Sequence, residues 1–320
     1  SGARLTHLPG ADDTVRSVHL SADSKLLALG CEKRGKGCAL LYELPSCELR
    51  HLWQHEKVVW CVRLSPDSQL LAACGYDMQL TIYSTAVEHA TLHRVLYQVK
   101  YTPMGGPAFI WSCAFSADST RLCVGCWNSR AYLYELKYRP AEGEASGEGG
   151  KQALAAGAGQ GEGPGGASSS PPPPPSESPL TVTELAVATR ADRVYAVSLD
   201  RDGSHVAVGG RDKKLALYSY DARTGTLELR WEKVSEDFVY AVALSDDMEY
   251  VALGGTAKHV AIFAAASGLH LHTIPLGATV WALALYTMPN GAQQLVAGGE
   301  FSSIKVIDVR EKREVLHLPA

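Results

Sequence analysis

Eight cysteines, eleven histidines and several adjacent carboxylates are the side chains of this sequence with the widest chemistry. Cys123-Val124-Gly125-Cys126 has the spacing of a redox couple or of half a zinc site, but no second pair lies at zinc-site distance. It closes an apolar run, where cysteine serves as a small hydrophobe. His270 and His272 have the spacing of two ligands on one face of a strand, and catalytic zinc needs a third. Asp12-Asp13, Glu236-Asp237 and Asp246-Asp247 offer carboxylate pairs for glycoside hydrolysis, yet each falls where a turn favours aspartate for local reasons. The segment Gly30–Gly37, GCEKRGKG, lacks the Ser or Thr that follows the lysine of a phosphate loop, and a strand rather than a helix follows it. Gly161–Gly166 fits GxGxxG only inside a low-complexity tract, and neither GxSxG nor HExxH occurs. These residues predict no enzyme, no metal, no cofactor and no small-molecule substrate.

The charge balance narrows the partners. A net charge of −4, from 30 basic and 34 acidic residues, gives no global attraction for nucleic acid or an anionic membrane. No run approaches the length of a membrane-spanning helix. All the cysteines lie between Cys31 and Cys126, unlike the spread staples of a disulfide scaffold, so we expect reduced thiols and an intracellular, cytoplasmic setting. The chain starts at Ser1 with no signal-peptide pattern, as a piece of a larger protein would.

What positions these side chains is a repeat. Six segments share one pattern: VRSVHLSADSKLLALG from Val15, VWCVRLSPDSQLLAACG from Val59, IWSCAFSADSTRLCVGC from Ile110, VYAVSLDRDGSHVAVGG from Val194, VYAVALSDDMEYVALGG from Val239 and VWALALYTMPNGAQQLVAGG from Val280. Each reads as an apolar strand, a Ser/Asp turn, a second strand ending at glycine, a third strand carrying an aromatic in most units, and a more polar fourth strand. Four short strands every ~40–45 residues predict an all-β propeller of four-stranded antiparallel blades, six of them visible. The sequence resembles the WD-repeat β-propellers: Ser65-Pro66-Asp67 matches their turn after the innermost strand, and Gly75-Tyr76-Asp77 and Gly210-Arg211-Asp212 match the turn with a structural aspartate. It departs from them at the signature dipeptide, which becomes Tyr42-Glu43, Tyr83-Ser84, Tyr134-Glu135, Tyr218-Ser219, Phe263-Ala264 and Ile307-Asp308, and the Gly-His pair is missing. The family's His/Asp hydrogen-bond network is therefore not expected in most blades.

The resemblance implies a ring that most often closes with seven blades. Ala3–Leu8 and Glu314–Leu318 both read as fourth strands, so one is surplus. Either a preceding blade is missing and the six belong to a seven-bladed ring, or six blades close with a spare edge strand. Propeller residues 1–137 and 181–320 flank a tract, 138–180, rich in Gly, Ala, Ser, Glu and Pro and expected to be disordered. Pro171–Pro175 in it reads as polyproline II, either a ligand or an inert spacer.

The strongest functional signal is the residue after the first of each innermost strand: Arg16, Trp60, Trp111, Tyr195, Tyr240 and Trp281. Repeat geometry relates the six positions as a ring, and the resemblance places that ring near the top entrance of the channel. Trp, Tyr and Arg are the types enriched in binding hot spots. The alternative is that the rings only finish the core, leaving a top-face site to Arg34, Arg211 and Lys258. Turns after the first strands carry a net −7 and those between second and third strands +4. The sequence thus predicts a protein-interaction scaffold that presents a top-face site to a protein or peptide, with a channel-site hydrolase as the other reading.

Overall fold

A computed structural model describes residues 8, 14–86, 95–100, 108–138, 180–288, 290–301 and 303–319. They form six four-stranded antiparallel sheets and no helix. Blade 1 runs Thr14–Leu20, Leu26–Lys33, Lys36–Glu43, Glu48–His55. The first strands of blades 2 to 6 are Val59–Leu64, Ile110–Phe115, Val194–Leu199, Val239–Leu244 and Val280–Thr287. Neighbouring blades pack first strand to first strand in chain order.

The Ser/Asp turns explain why each unit folds back at the same place. In blade 1 the Ser21 hydroxyl donates to Asp23 at 2.6 Å and accepts from the Leu26 amide at 2.8 Å, while Asp23 accepts from the Lys25 amide at 3.1 Å. Ser65/Asp67, Ser116/Asp118 and Ser245/Asp247 repeat the pattern. The Ser21 hydroxyl and Lys25 amide hold the Asp23 carboxyl below its usual range. The acidic count of these turns is therefore largely structural.

Blades join through a socket and a knob. At four of the five junctions the second strand presents a glycine, and the next blade's first strand covers it. A Cβ on Gly209 would stand 2.5 Å from Val239 Cγ1 and 2.7 Å from Val242 Cγ2, so only glycine permits this approach. Gly30, Gly125 and Gly254 receive Val59, Val194 and Val280 in the same way.

Two blades rebuild the His/Asp network with substitutes for the missing Gly-His pair. His55 Nδ1 lies 2.8 Å from Asp77, and its Nε2 lies 3.0 Å from the Tyr83 hydroxyl. In blade 4, Arg190 takes the histidine's place, donating to Asp212 at 3.0 Å and to the Tyr218 hydroxyl at 3.0 Å.

The terminal faces stay open among the described residues. Val18 on the first strand is 57% exposed, whereas its equivalent Val62 is fully buried. A closed six-blade ring would have covered it. The expected strand Ala3–Leu8 falls outside the described residues except for Leu8, which packs beside Leu29 and Leu40. Of the expected tract 138–180 only its two ends are described: Tyr138 and Leu180 are ladder partners in blade 3, and residues 139–179 lie outside the described residues. Pro171–Pro175 lies outside the described residues.

Candidate interaction surface

Each of the six ring positions is a bulge residue. The pairing register skips it: Val15 and Ser17 face Cys31 and Gly30, leaving Arg16 unpaired, and the same skip leaves out Trp60, Trp111, Tyr195, Tyr240 and Trp281. A bulge turns a side chain out of the alternation that would bury it in a blade. The repeat thus aims one large side chain per blade toward the same end of the molecule.

The six side chains form one unbroken line. Arg16 Cζ lies 4.7 Å above the Trp60 ring, Trp60 stacks on Trp111 at 4.5 Å, and Trp111 meets Tyr195 at 5.4 Å. Tyr195 meets Tyr240 at 5.1 Å, and Tyr240 stacks on Trp281 at 4.5 Å. Exposure rises toward the end: Tyr195 is 6% exposed and Trp281 45%. Tyr195 alone is buried; Trp60, Trp111 and Tyr240 are half-buried, and Arg16 and Trp281 are exposed at the two ends of the line.

A second row leans on the first. Trp127, from the turn between second and third strands of blade 3, stacks on Trp111 at 5.5 Å, and Tyr76, from the matching turn of blade 2, meets Trp60 at 5.4 Å. Phe109 fits between Tyr76 and Trp127. Arg193 caps Trp127 at 4.1 Å, and Arg211 and Lys213 lie over Phe238 at 5.8 and 5.5 Å. The rim is mixed in charge, since Lys213 also pairs with Asp237 at 3.0 Å. Sequence reading missed this second row because its residues come from turns of different composition; only the shared register exposes them. Of the fallback residues, Arg211 stands at this rim.

The enzymatic candidates are not brought to this surface. No ring position is a carboxylate, and Asp246, whose carboxyl burial raises above its usual range, sits in a first-to-second-strand turn at the other end. Its neighbour Asp247 is engaged by Ser245 and by Gln293 Nε2 at 2.6 Å. A bulge at Leu271 separates His270 from His272, and His270 bonds Thr273 at 2.8 Å. Cys123 and Cys126 fall in different core clusters, and burial pushes the Cys123 thiol up to about 12.

The model of the WD domain, G-beta repeat matches residues 46–84, 98–135 and 183–219. Each match runs from a fourth strand of one blade through the third strand of the next. No curated protein matches the chain.

Proposed function

We propose that this chain, a WD-repeat β-propeller and so in general a protein-interaction scaffold, receives a peptide or protein segment along the line from Arg16 to Trp281. The observation that carries the reading is the continuity of that line: six bulge residues, one per blade, in successive ring contact and ending in an exposed indole. Stacked aromatics give a rigid apolar surface at low entropic cost, and the arginine and lysine side chains at the rim can orient a polar backbone. WD-repeat proteins are typically non-enzymatic, and we read this one as a scaffold without a catalytic role of its own, working in the cytoplasm with its cysteines reduced.

The test is selection of peptides from a random display library against the folded chain, followed by binding to variants. Trp281→Ala and Arg16→Ala should weaken the selected peptides about 30-fold, which is the ~2 kcal/mol typical of a hot spot. Arg223→Ala, on an exposed turn at the opposite end, should leave binding unchanged. Peptides that bind Trp281→Ala as well as the parent, or that lose equally with Arg223→Ala, would reject the reading.

A further inference from the structure

The junction of blades 2 and 3 breaks the rule that builds the other junctions. Three positions define each junction: the socket, its cross-strand partner, and the knob three residues into the next first strand. They are Gly30, Ser17 and Val62 between blades 1 and 2; Gly125, Ser112 and Val197 between blades 3 and 4; Gly209, Ala196 and Val242 between blades 4 and 5; Gly254, Ala241 and Leu283 between blades 5 and 6. Between blades 2 and 3 all three are cysteine: Cys74 in the socket, Cys61 across from it, and Cys113 as the knob. The packing is met by Gly, Ser, Ala, Val and Leu elsewhere and does not require sulfur at all three places.

The sulfurs converge. Cys61 Sγ and Cys113 Sγ are 3.7 Å apart, and all three Sγ atoms lie within 4.8 Å of one another, fully inside the core. A planar three-sulfur site with metal–sulfur bonds of about 2.3 Å has sulfurs about 4 Å apart. The surrounding walls are Leu70, Leu80, Ile82 and Ile110, which offer no donor atom. Zinc and iron–sulfur sites take four protein ligands when structural. Three thiolates in a dry apolar pocket suit a soft monovalent ion instead.

Charge supplies a second observation. Arg63, two residues beyond Cys61, bonds only the Val62 carbonyl at 2.8 Å and Ser17 Oγ at 3.4 Å, and among the described residues no carboxylate pairs with it. A partly buried guanidinium without an acid partner suits an anionic neighbour, and the groups beside it are the three thiols and the His19 imidazole.

We propose that Cys61, Cys74 and Cys113 form a buried three-thiolate site for a monovalent soft metal ion, Cu(I). Binding replaces three S–H bonds by three metal–sulfur bonds: M⁺ and three thiols give a complex of charge −2 and three released protons. Arg63 offsets one of the two negative charges. No change of oxidation state is needed, provided the ion arrives as Cu(I).

The test uses the folded chain, reduced and free of oxygen, titrated with Cu(I) held by a competing chromophoric chelator. The parent should remove one ion per chain from the chelator, and its melting temperature should rise by roughly 5 °C. The comparison variant is Cys74→Gly with Cys113→Val, which restores the packing of the other junctions; it should fold, and should leave the copper with the chelator. X-ray absorption at the copper edge should show three sulfur neighbours. Copper taken equally by parent and variant, no copper taken by the parent, or two sulfur neighbours in place of three would each overturn the proposal.

Discussion

Gly254 and Gly298 hold the same place in consecutive blades. A Cβ built on Gly254 would stand 2.7 Å from Val280 Cγ1 of the next blade, while one built on Gly298 meets only Ala282 of its own blade, at 4.0 Å. The mirror of this contrast is at the other end, where Val15 and Val18 lie exposed while Val59 and Val62 are buried. The same residues are core in one place and surface in another because a blade cannot cover its own faces; stacking decides. The aromatic line follows the same rule, with Tyr195 enclosed between neighbours and Trp281 open at the last blade.

The contrast can be broken most sharply at glycine. A Cβ on Gly254 would lie 2.7 Å from Val280 Cγ1 and 2.9 Å from Val280 Cβ of the next blade, inside a packed junction. Gly254→Ala should therefore cost about 4 kcal/mol by denaturant unfolding, whereas Gly298→Ala should stay within about 1 kcal/mol. Similar losses for both would show that the end face is covered.

Charged pairs give the next largest contrast. Arg190 and Asp212 are both about 95% buried, 2.7 Å apart, and link blade 3 to blade 4. Arg190→Leu strands the Asp212 carboxylate and should cost about 3–5 kcal/mol. Arg16 pairs with Glu32 at 2.9 Å on the open end, with both side chains about a third exposed, and Arg16→Leu should cost under about 1 kcal/mol.

Within the aromatic line, Trp111→Ala removes a ring stacked on Trp60 and Trp127 and in tilted contact with Tyr195, and should cost about 3 kcal/mol of stability. Trp281→Ala should cost about 1 kcal/mol and act on binding instead. Equal stability losses would return the whole line to the core.

A pH slope at the first junction gives a further contrast. His19 Nδ1 accepts the Leu64 amide at 3.1 Å, and burial, with Arg63 beside it, lowers its pKa to about 4. Cys61 is the other titratable group nearby. The unfolded histidine, near 6.5, takes up its proton first, so this contribution to stability is present above pH 6.5 and lost as pH falls through 4. His19→Asn keeps an acceptor and should flatten the slope between these values; an unchanged slope would assign it to other groups.

How much was legible depended on whether the signal was local. The Ser-x-Asp turn fixes a hairpin from four consecutive residues, so blade count and strand order could be read from the chain. The six ring positions were legible because the repeat aligns them, but whether each is exposed was not, since Tyr195 and Trp281 differ only in what lies beside their blades. Arg190 was invisible as a network member because the reading looked for histidine, yet a guanidinium reaches the same Asp and Tyr. The cysteines show the opposite failure. Cys123 and Cys126 carried a motif, but an odd offset on a strand sends them to opposite faces. Cys61 and Cys74 carried none, although the hairpin centred between Asp67 and Ser68 makes them cross-strand partners, and Cys113 joins them only through the packing of two blades.

Hydrogen exchange with the tightest selected peptide bound tests the central claim most directly. Added protection is expected at the start of the first strands of blades 2 to 6 and in the turns around Tyr76, Trp127 and Arg211, with none in the turns 65–68, 116–119 and 245–248. Protection confined to those Ser/Asp turns, or to the outer fourth strands, would contradict it.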